Sequence, residues 1–338
     1  LVYSDDNQPT GSFTENDYIE LGQQFDNSIY PTNTAFFGTP SDIDGNARTV
    51  ILFSPVVNSL TPTGQNRFYI SGFVLVNDLS GIYPAGTTNR MEIFYSMVPD
   101  PNGEFGRSFA YDFVKGVVPG TLAHEFEHMI SYGYRFVYLG RGTDWRYIQQ
   151  TWLEEGMAHM AEDLNDMDGQ NIARANSFLV SPYTTSILGN AELRSTNQED
   201  TLEQRGGIYL FLRYLGDVYD ETIYKKLVQS DRVGISTVEN VTKTSFYASA
   251  GDFLATLYLS GRGITDDPKF NYTSIDLLKD FWDLEVFNQS AGGVAFDASV
   301  RSVGGNFNVI ADGQPPLIRF HVSNQQGSQT RVICVRTE

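Results

Sequence analysis

The stretch GTLAHEFEHMISYGYRF, residues 120–136, places His124 and His128 four residues apart, with Glu125 directly after the first histidine. On an α-helix, side chains at this spacing project from the same face one turn apart. Two imidazoles placed in this way can reach one tetrahedral zinc ion. Apolar side chains occupy much of the rest of the stretch: Leu122, Phe126, Met129 and Ile130. The stretch therefore predicts a buried helix that carries two metal ligands.

The glutamate inside this pattern is placed to do chemistry. Glu125 lies about a quarter-turn round the helix from His124, too far to join easily as a third ligand. It can reach a water on the metal, and in the pattern His-Glu-x-x-His this glutamate acts as the general base. We interpret Glu127 as a solvent-facing helix residue. A chance pattern is disfavoured in a chain with only four histidines.

Two histidines do not complete a catalytic zinc site, which takes three protein ligands and keeps one position open. Residues 129–140, MISYGYRFVYLG, contain no histidine, so a third histidine at short spacing is excluded, and His159 and His321 remain. A carboxylate from the next helical segment, TWLEEGMAHMAEDL at residues 151–164, is the alternative. That segment offers four acidic side chains: Glu154, Glu155, Glu162 and Asp163.

Helical phase favours Glu155 but leaves Glu154 open. An apolar stripe should face the body of the protein, formed by Leu153, Met157, Met160 and Leu164. Glu155 lies on roughly the opposite side, followed by His159 and Glu162, so that three polar side chains form a column. Such a column suits a metal ligand with supporting partners, and it equally suits a solvated face of charge pairs.

The two helical motifs together resemble a known clan. His-Glu-x-x-His followed by Trp-Leu-x-Glu-Gly-x-Ala is similar to the gluzincin clan of zinc peptidases. The wider sequence, about residues 1–260, resembles the hyicolysin family of bacterial secreted neutral metallopeptidases. The stretches that carry this resemblance are residues 36–58, 123–130, 151–164 and 206–215. The resemblance implies secretion, Glu155 as the third zinc ligand, and His159 as a residue that holds a ligating histidine.

Hydrolysis through an oxyanion usually needs a further donor that faces the metal. The nearest candidates are Arg205 and Tyr209, one helical turn apart, although Tyr209 is equally well interpreted as a core aromatic. His321 is distant in the chain. Gln204 stands where the aminopeptidase branch of the clan has a tyrosine, so that assignment does not transfer.

Composition limits the classes of function. The chain has 338 residues, a formal charge of −18, 41% hydrophobic residues and 13% aromatic residues, as expected of a folded globular protein. The acidic charge argues against nucleic acid as a partner, and no apolar run is long enough for membrane insertion. The single cysteine, Cys334, excludes an internal disulfide. The first residues lack a signal peptide, as in a mature processed chain and equally in a cytosolic one, so the expectation of a mature secreted chain rests on the family resemblance.

The chain is β-rich, then α-rich, then β-rich again. A helix is predicted over residues 16–30 with Asn16 as its cap, and strands over 48–57, 67–77 and 90–98. Further helices are predicted within 117–134, 151–164, 206–219, 222–229 and 250–261. The order predicts an α+β body with a small β appendage, and the family resemblance implies that this body is a two-lobed, zincin-like fold. The predicted domains are a β-containing lobe (1–140), a helical lobe with the third ligand (141–285) and a β-rich tail (286–338).

Calcium is a secondary expectation. Asp-x-Asp-Gly occurs within residues 41–48 and 165–171. Each motif could place carboxylates around Ca²⁺, but neither has the closing glutamate of the twelve-residue calcium loop. Asp-Gly is also an ordinary tight-turn signal.

The sequence thus predicts a zinc-dependent endopeptidase, expected to be a monomer, that acts on proteins or peptides. Glu125 takes a proton from the zinc-activated water, and an extended substrate pairs with an edge strand of the N-terminal lobe. One alternative is a zinc aminopeptidase, which the lack of a Gly-x-Met-Glu-Asn-type stretch disfavours. The other is a catalytically inactive, zinc-containing binding or adhesion protein, in which Glu125 would have no use.

Overall fold

A computed structural model describes residues 1–65, 68–80, 86–141, 144–180, 182, 185–188 and 201–281. The chain divides into two compact units, the first formed by Leu1–Gly169 and Glu221–Val241, the second by Gln170–Asp220 and Thr242–Glu338. The predicted α+β class is confirmed. The predicted β tail, with His321 and Cys334, lies outside the described residues, and the domain limits at residues 140 and 285 stay predictions.

The strands and helices follow each other in a mixed order. The strands are β1 (Val2–Ser4), β2 (Val50–Phe53), β3 (Gly72–Val74) and β4 (Ile93–Ser96). The helices are α1 (Glu15–Gln24), α2 (Tyr30–Phe36), α3 (Pro55–Ser59), α4 (Tyr111–Gly133), α5 (Thr151–Leu164), α6 (Gly169–Val180), α7 (Leu202–Tyr219), α8 (Thr222–Val228), α9 (Ile235–Thr242) and α10 (Phe246–Leu259). Within the described residues, no helix has the length and hydropathy needed to cross a membrane.

The four strands form one sheet in the order β1-β2-β4-β3. The strands β1, β2 and β4 run parallel, whereas β3 pairs antiparallel with β4 at the edge, with Phe73 opposite Tyr95. The N–H of Met97 donates to the carbonyl of Ser71. Main-chain groups alternate in direction along an antiparallel strand. The N–H and C=O groups of Ser71 and Phe73 therefore face β4, and those of Gly72 and Val74 point away from it.

The predicted strands are confirmed in part. Residues 48–57 form β2 only as far as Phe53, because Ser54 caps a helix and Pro55 occupies its first position. The strand β1 was not predicted, because three residues are too few to show a clear alternation. The strand is formed by its pairing with β2.

The helix predicted from Asn16 begins at Glu15. The cap is Thr14, whose side chain accepts the N–H of Asp17 while the Asp17 carboxylate accepts the N–H of Thr14. This reciprocal pair is a capping box, so the prediction of Asn16 as the cap was wrong. Gly22 lies within the helix, and the absence of a side chain suits its position, because a Cβ there would come 3.0 Å from Val2 Cγ2.

Helix α4 is held against the sheet by aromatic side chains. The ring of Phe126 lies 5.1 Å from that of Phe25, 5.2 Å from that of Tyr30 and 6.0 Å from that of Phe94. Phe126 is fully buried, and β4 supplies Phe94 from the sheet. The predicted burial of this helix is therefore confirmed.

The second unit has a helical core of its own. Phe211 of α7 packs against Phe246 and Phe253 of α10 at ring distances of 5.6 and 5.4 Å. A Cβ at Gly206 would come 2.0 Å from the carbonyl oxygen of Arg174, so α6 and α7 approach closely at that glycine.

Candidate metal centre

The site is built on α4 and α5, which pack against each other in opposite directions. Near the end of α4, the Ser131 hydroxyl donates to Glu154 Oε2 at 2.9 Å, at the start of α5. Earlier in α4, His124 Nδ1 lies 2.6 Å from Glu162 Oε1, near the end of α5. Residues that come later along α4 thus meet residues that come earlier along α5, and both helices belong to the first unit.

His124, His128 and Glu155 bring three donor atoms together. His124 Nε2 lies 3.5 Å from Glu155 Oε2, and His128 Nε2 lies 3.8 Å from Glu155 Oε1. Two ligands of a tetrahedral zinc ion, at bond lengths near 2.1 Å, are about 3.4 Å apart. These separations exceed a hydrogen bond and match two donors that share an ion. The donor set therefore fits zinc, which takes nitrogen and carboxylate ligands.

Glu154 and Glu155 lie on different sides of the histidines. Glu154 Oε1 lies 3.5 Å from His128 Nδ1, the ring nitrogen opposite the one that faces Glu155. Glu154 is 4% exposed, whereas 19% of the Glu155 side chain is exposed. Glu155 is thus placed to share an ion with both histidines, and Glu154 is placed behind one of them.

Glu125 is tied to the edge of the sheet. Its Oε2 accepts a hydrogen bond from the N–H of Val74 at 3.0 Å. Val74 belongs to β3, and this N–H is one of the groups that point away from β4. The carboxylate proposed as a base is therefore fixed next to the side of β3 that faces away from β4, where no other strand of the described residues pairs with it.

Both histidines carry acidic partners on Nδ1. Burial lowers the pKa of His124, but Glu155 and Glu162 outweigh burial and raise the pKa to about 9. Burial also lowers the pKa of His128, but Glu127 and Glu154 outweigh burial and raise that pKa well above its usual value. Metal ligation through Nε2 needs that nitrogen free of its proton, so the Nε2 proton of each charged imidazole would leave as an ion binds.

His159 lies behind Glu162. Its Nδ1 is 3.0 Å from Glu162 Oε1, the oxygen that also contacts His124, and its side chain is fully buried. The rings of His159 and His124 are 5.0 Å apart. Burial would raise the pKa of Glu162, but His159 and His124 outweigh burial and hold that pKa well below its usual value. In the polar column predicted on α5, His159 and Glu162 are buried, and Glu155 is partly exposed.

The prediction that Glu127 faces solvent was wrong, because its side chain is fully buried. Burial raises the pKa of Glu127 to about 7, with His128 acting against the rise and Glu154 adding to it. The guanidinium of Arg135, which is 1% exposed, is a buried cation. Burial lowers the pKa of Arg135, and the charges of Glu154 and Glu127 oppose this lowering. The periodicity of α4 could not predict the burial of Glu127, because the residues that cover it belong to α5 and to the turn after α4.

The predicted oxyanion candidates lie on α7, in the second unit. Tyr209 is 1% exposed and belongs to the core of that unit, as one of its two interpretations expected. Arg205 is half-buried in the first turns of the same helix. Their roles stay predictions.

The first Asp-x-Asp-Gly motif brings Asp42 and Asp44 near Glu92. Asp42 accepts the N–H of Ala47, Asp44 accepts that of Asn46, and Glu92 accepts the hydroxyl of Ser41. Among the described residues, Asp166 and Asp168 of the second motif join no comparable group. The contacts of Asp42 and Asp44 are those of ordinary turns, and that of Glu92 joins distant parts of the chain, so calcium gains no support from them.

Over about two thirds of its residues, the chain is similar to a known bacterial protein. The chain is 27% identical, over 239 residues, to the neutral metalloprotease ShpI of Staphylococcus hyicus. The match covers 67% of this chain and 48% of the relative, so the chain spans about half the length of the curated relative that it matches. No protein-family model matches the chain. The similarity and the grouping of His124, His128 and Glu155 support a metallopeptidase family for this chain.

Proposed function

We propose that the chain is a zinc-dependent endopeptidase of the gluzincin type. His124 and His128, through Nε2, and Glu155, through its carboxylate, would hold the ion. The observation that carries the proposal is the spacing of these donors, 3.5 and 3.8 Å, beside the carboxylate of Glu125, the residue that follows His124 in α4. When bound, zinc supplies a Lewis acid that polarises the scissile carbonyl and acidifies water.

Glu125 has the place and the chemistry of the general base. Its carboxylate takes the proton of the attacking water and returns it to the nitrogen of the leaving amine. The hydrogen bond from Val74 fixes the carboxylate before any substrate arrives. A base held in this way loses little free energy to reorientation during the reaction.

The edge strand β3 offers a place for the substrate. The carbonyl of Val74 and both main-chain groups of Gly72 point away from β4, and an extended peptide can add to them as a further strand, while the N–H of Val74 stays bonded to Glu125. Since Val74 also contacts Glu125, a peptide on this edge would run past the base. Main-chain pairing of this kind accepts internal stretches of protein, which supports endopeptidase activity.

Digestion of casein, with and without a zinc chelator, tests the proposal. Mass spectrometry should show cleavage at internal bonds, lost with chelator and restored by zinc. Glu125→Gln should retain zinc and lose proteolysis, while Glu15→Gln, the same change at an exposed helix position, should cleave as the wild type does. Release of single N-terminal residues would instead indicate an aminopeptidase. Zinc binding without any cleavage would indicate a binding protein.

A further inference from the structure

The contact between His124 and Glu162 differs in kind from the contacts among the three proposed ligands. His124 Nδ1 and Glu162 Oε1 are 2.6 Å apart, a charge-assisted hydrogen-bond distance. Two donors that share a zinc ion would be about 3.4 Å apart. Glu162 is therefore a hydrogen-bond partner of His124 and not a fourth ligand, although His124, His159 and Glu162 also lie close enough together to form a group.

We propose that Glu162 is the positioning residue of His124, and that His159 acts through Glu162. The carboxylate accepts the Nδ1 proton and so fixes the tautomer of His124 that presents the Nε2 lone pair to the metal. The inference rests on the proposed metal centre. The family resemblance implies that His159, one turn after Glu155, contacts the ligating histidine directly. The proposal assigns that direct contact to Glu162 instead, two turns after Glu155.

The antiparallel packing of α4 and α5 explains this arrangement. Glu155 and Glu162 are seven residues apart, which is close to two turns and places both on one face of α5. Because the helices run in opposite directions, Glu155 meets Nε2 of both histidines, and Glu162 reaches the histidine that comes earlier in α4. His159 lies between these two glutamates and packs its ring near His124.

His159 gives the carboxylate a second fixed partner. Its Nδ1 lies 3.0 Å from the same Oε1 atom, and none of its side chain is exposed. Glu162 is 7% exposed, so little water competes for its charge. A carboxylate held between two imidazoles in a buried site has few alternative rotamers. The orientation of His124 is thus set before an ion binds.

Zinc affinity, measured by competition with a chromophoric chelator, tests the proposal without reference to proteolysis. Outer partners of metal-ligating histidines typically contribute about 10–100-fold in metal affinity. We expect a loss in this range for Glu162→Ala and a smaller loss for Glu162→Gln, which keeps a neutral acceptor. The visible spectrum of the cobalt-substituted protein should shift in Glu162→Ala, because the His124 ring is released. His159→Asn should weaken zinc binding less than Glu162→Ala.

Asp163→Asn is the matched control, because Asp163 is an adjacent acid of similar burial on the same helix. It should bind zinc as the wild type does. Zinc affinity of Glu162→Gln and Glu162→Ala within twofold of the wild type would overturn the proposal, and so would an equal loss in Asp163→Asn. A wild type that binds no zinc would overturn the metal centre itself. A wild type that binds zinc without cleaving casein would overturn only the proposed function and leave this test in force.

Discussion

At the scale of single residues, two adjacent glutamates of one helix have different surroundings, one as the proposed ligand and one as its proposed support. Glu155 faces Nε2 of His124 and His128, whereas Glu154 faces Nδ1 of His128 and accepts a hydrogen bond from Ser131. Consecutive helix positions differ by about 100°, so neighbours in sequence reach opposite sides of one imidazole. Helical phase alone left open which of the two glutamates faces the proposed metal. Packing against α4 gives the two glutamates different surroundings.

This difference predicts unequal effects of the same substitution. Glu155→Gln should reduce zinc affinity by more than the roughly 10–100-fold typical of outer partners, because a charged ligand is lost. Glu154→Gln should remain within that range. Isothermal titration of both variants with zinc measures the order. An equal or reversed order would contradict Glu155 as the third ligand.

A second residue-scale prediction concerns pH and Asp17. Burial would raise the pKa of Asp17, but hydrogen bonds from Lys115, Thr14 and Tyr111 outweigh burial and lower it. A carboxyl with a lowered folded-state pKa stabilises the fold above its unfolded value, near pH 4, and this contribution fades as the pH falls further.

Urea denaturation between pH 7 and pH 2.5 measures this dependence. Asp17→Asn should cost about 2 kcal/mol at pH 7, the scale of a hydrogen bond to a charged group, and the cost should shrink at low pH. Asp112→Asn, an exposed acid in the first turn of α4, is the control and should change little. A cost for Asp17→Asn that stays constant with pH would contradict the assignment.

At the scale of elements, the contact between β3 and α4 aligns the edge strand with Glu125, the proposed base. The Thr121 hydroxyl donates to Ser71 Oγ at 2.9 Å, one turn of α4 before the bond between Val74 and Glu125. The strand approaches closely because Gly72 has no side chain. A Cβ there would come 2.8 Å from the carbonyl oxygen of Tyr95 and 2.9 Å from Thr121 Cγ2.

Gly72→Ala should therefore displace β3 at a cost of about 1–3 kcal/mol, as overpacking does. We expect kcat/KM on a peptide substrate to fall while zinc affinity stays unchanged, because the metal donors lie on α4 and α5. Gly116→Ala, in an open position of α4, is the matched control and should stabilise by about 0.5–1 kcal/mol. Full activity in Gly72→Ala would contradict a role of this strand next to the base.

How far sequence reasoning reaches also depends on the element. Helix α5 was predicted with its observed limits, Thr151–Leu164, because the apolar stripe and the long window define it locally. The strand β1 and the burial of Glu127 were not predicted. Both depend on partners distant in sequence, β2 in one case and α5 in the other. The spacing of His124, Glu125 and His128 was informative because chemistry, and not packing alone, restricts it.

At the scale of the whole molecule, the metal should stabilise the first unit. Several acids lie near one another in the site with little solvent: Glu127, Glu154, Glu155 and Glu162. Bound zinc would offset part of their repulsion and bind only the folded chain. A ligand at 100 times its Kd stabilises by about 2.7 kcal/mol.

Removal of zinc by dialysis against a chelator should accordingly lower the Tm in differential scanning calorimetry, and added zinc should restore it. The double variant His124→Ala, His128→Ala serves as the control and should show no dependence of Tm on zinc. A wild-type Tm independent of zinc, or a zinc-dependent Tm in the double variant, would contradict an ion at these residues.

The pairing of α4 with α5 has a consequence for how the chain can change over time. The proposed ligands, base and supporting carboxylates all fall between His124 and Glu162, on two neighbouring helices. A recombination or deletion outside this segment therefore leaves the reactive groups together in one inherited block. Positions outside this block that neither pack against α4 nor contact Glu125 are free to diverge, so new substrate preferences can evolve around an unchanged metal chemistry.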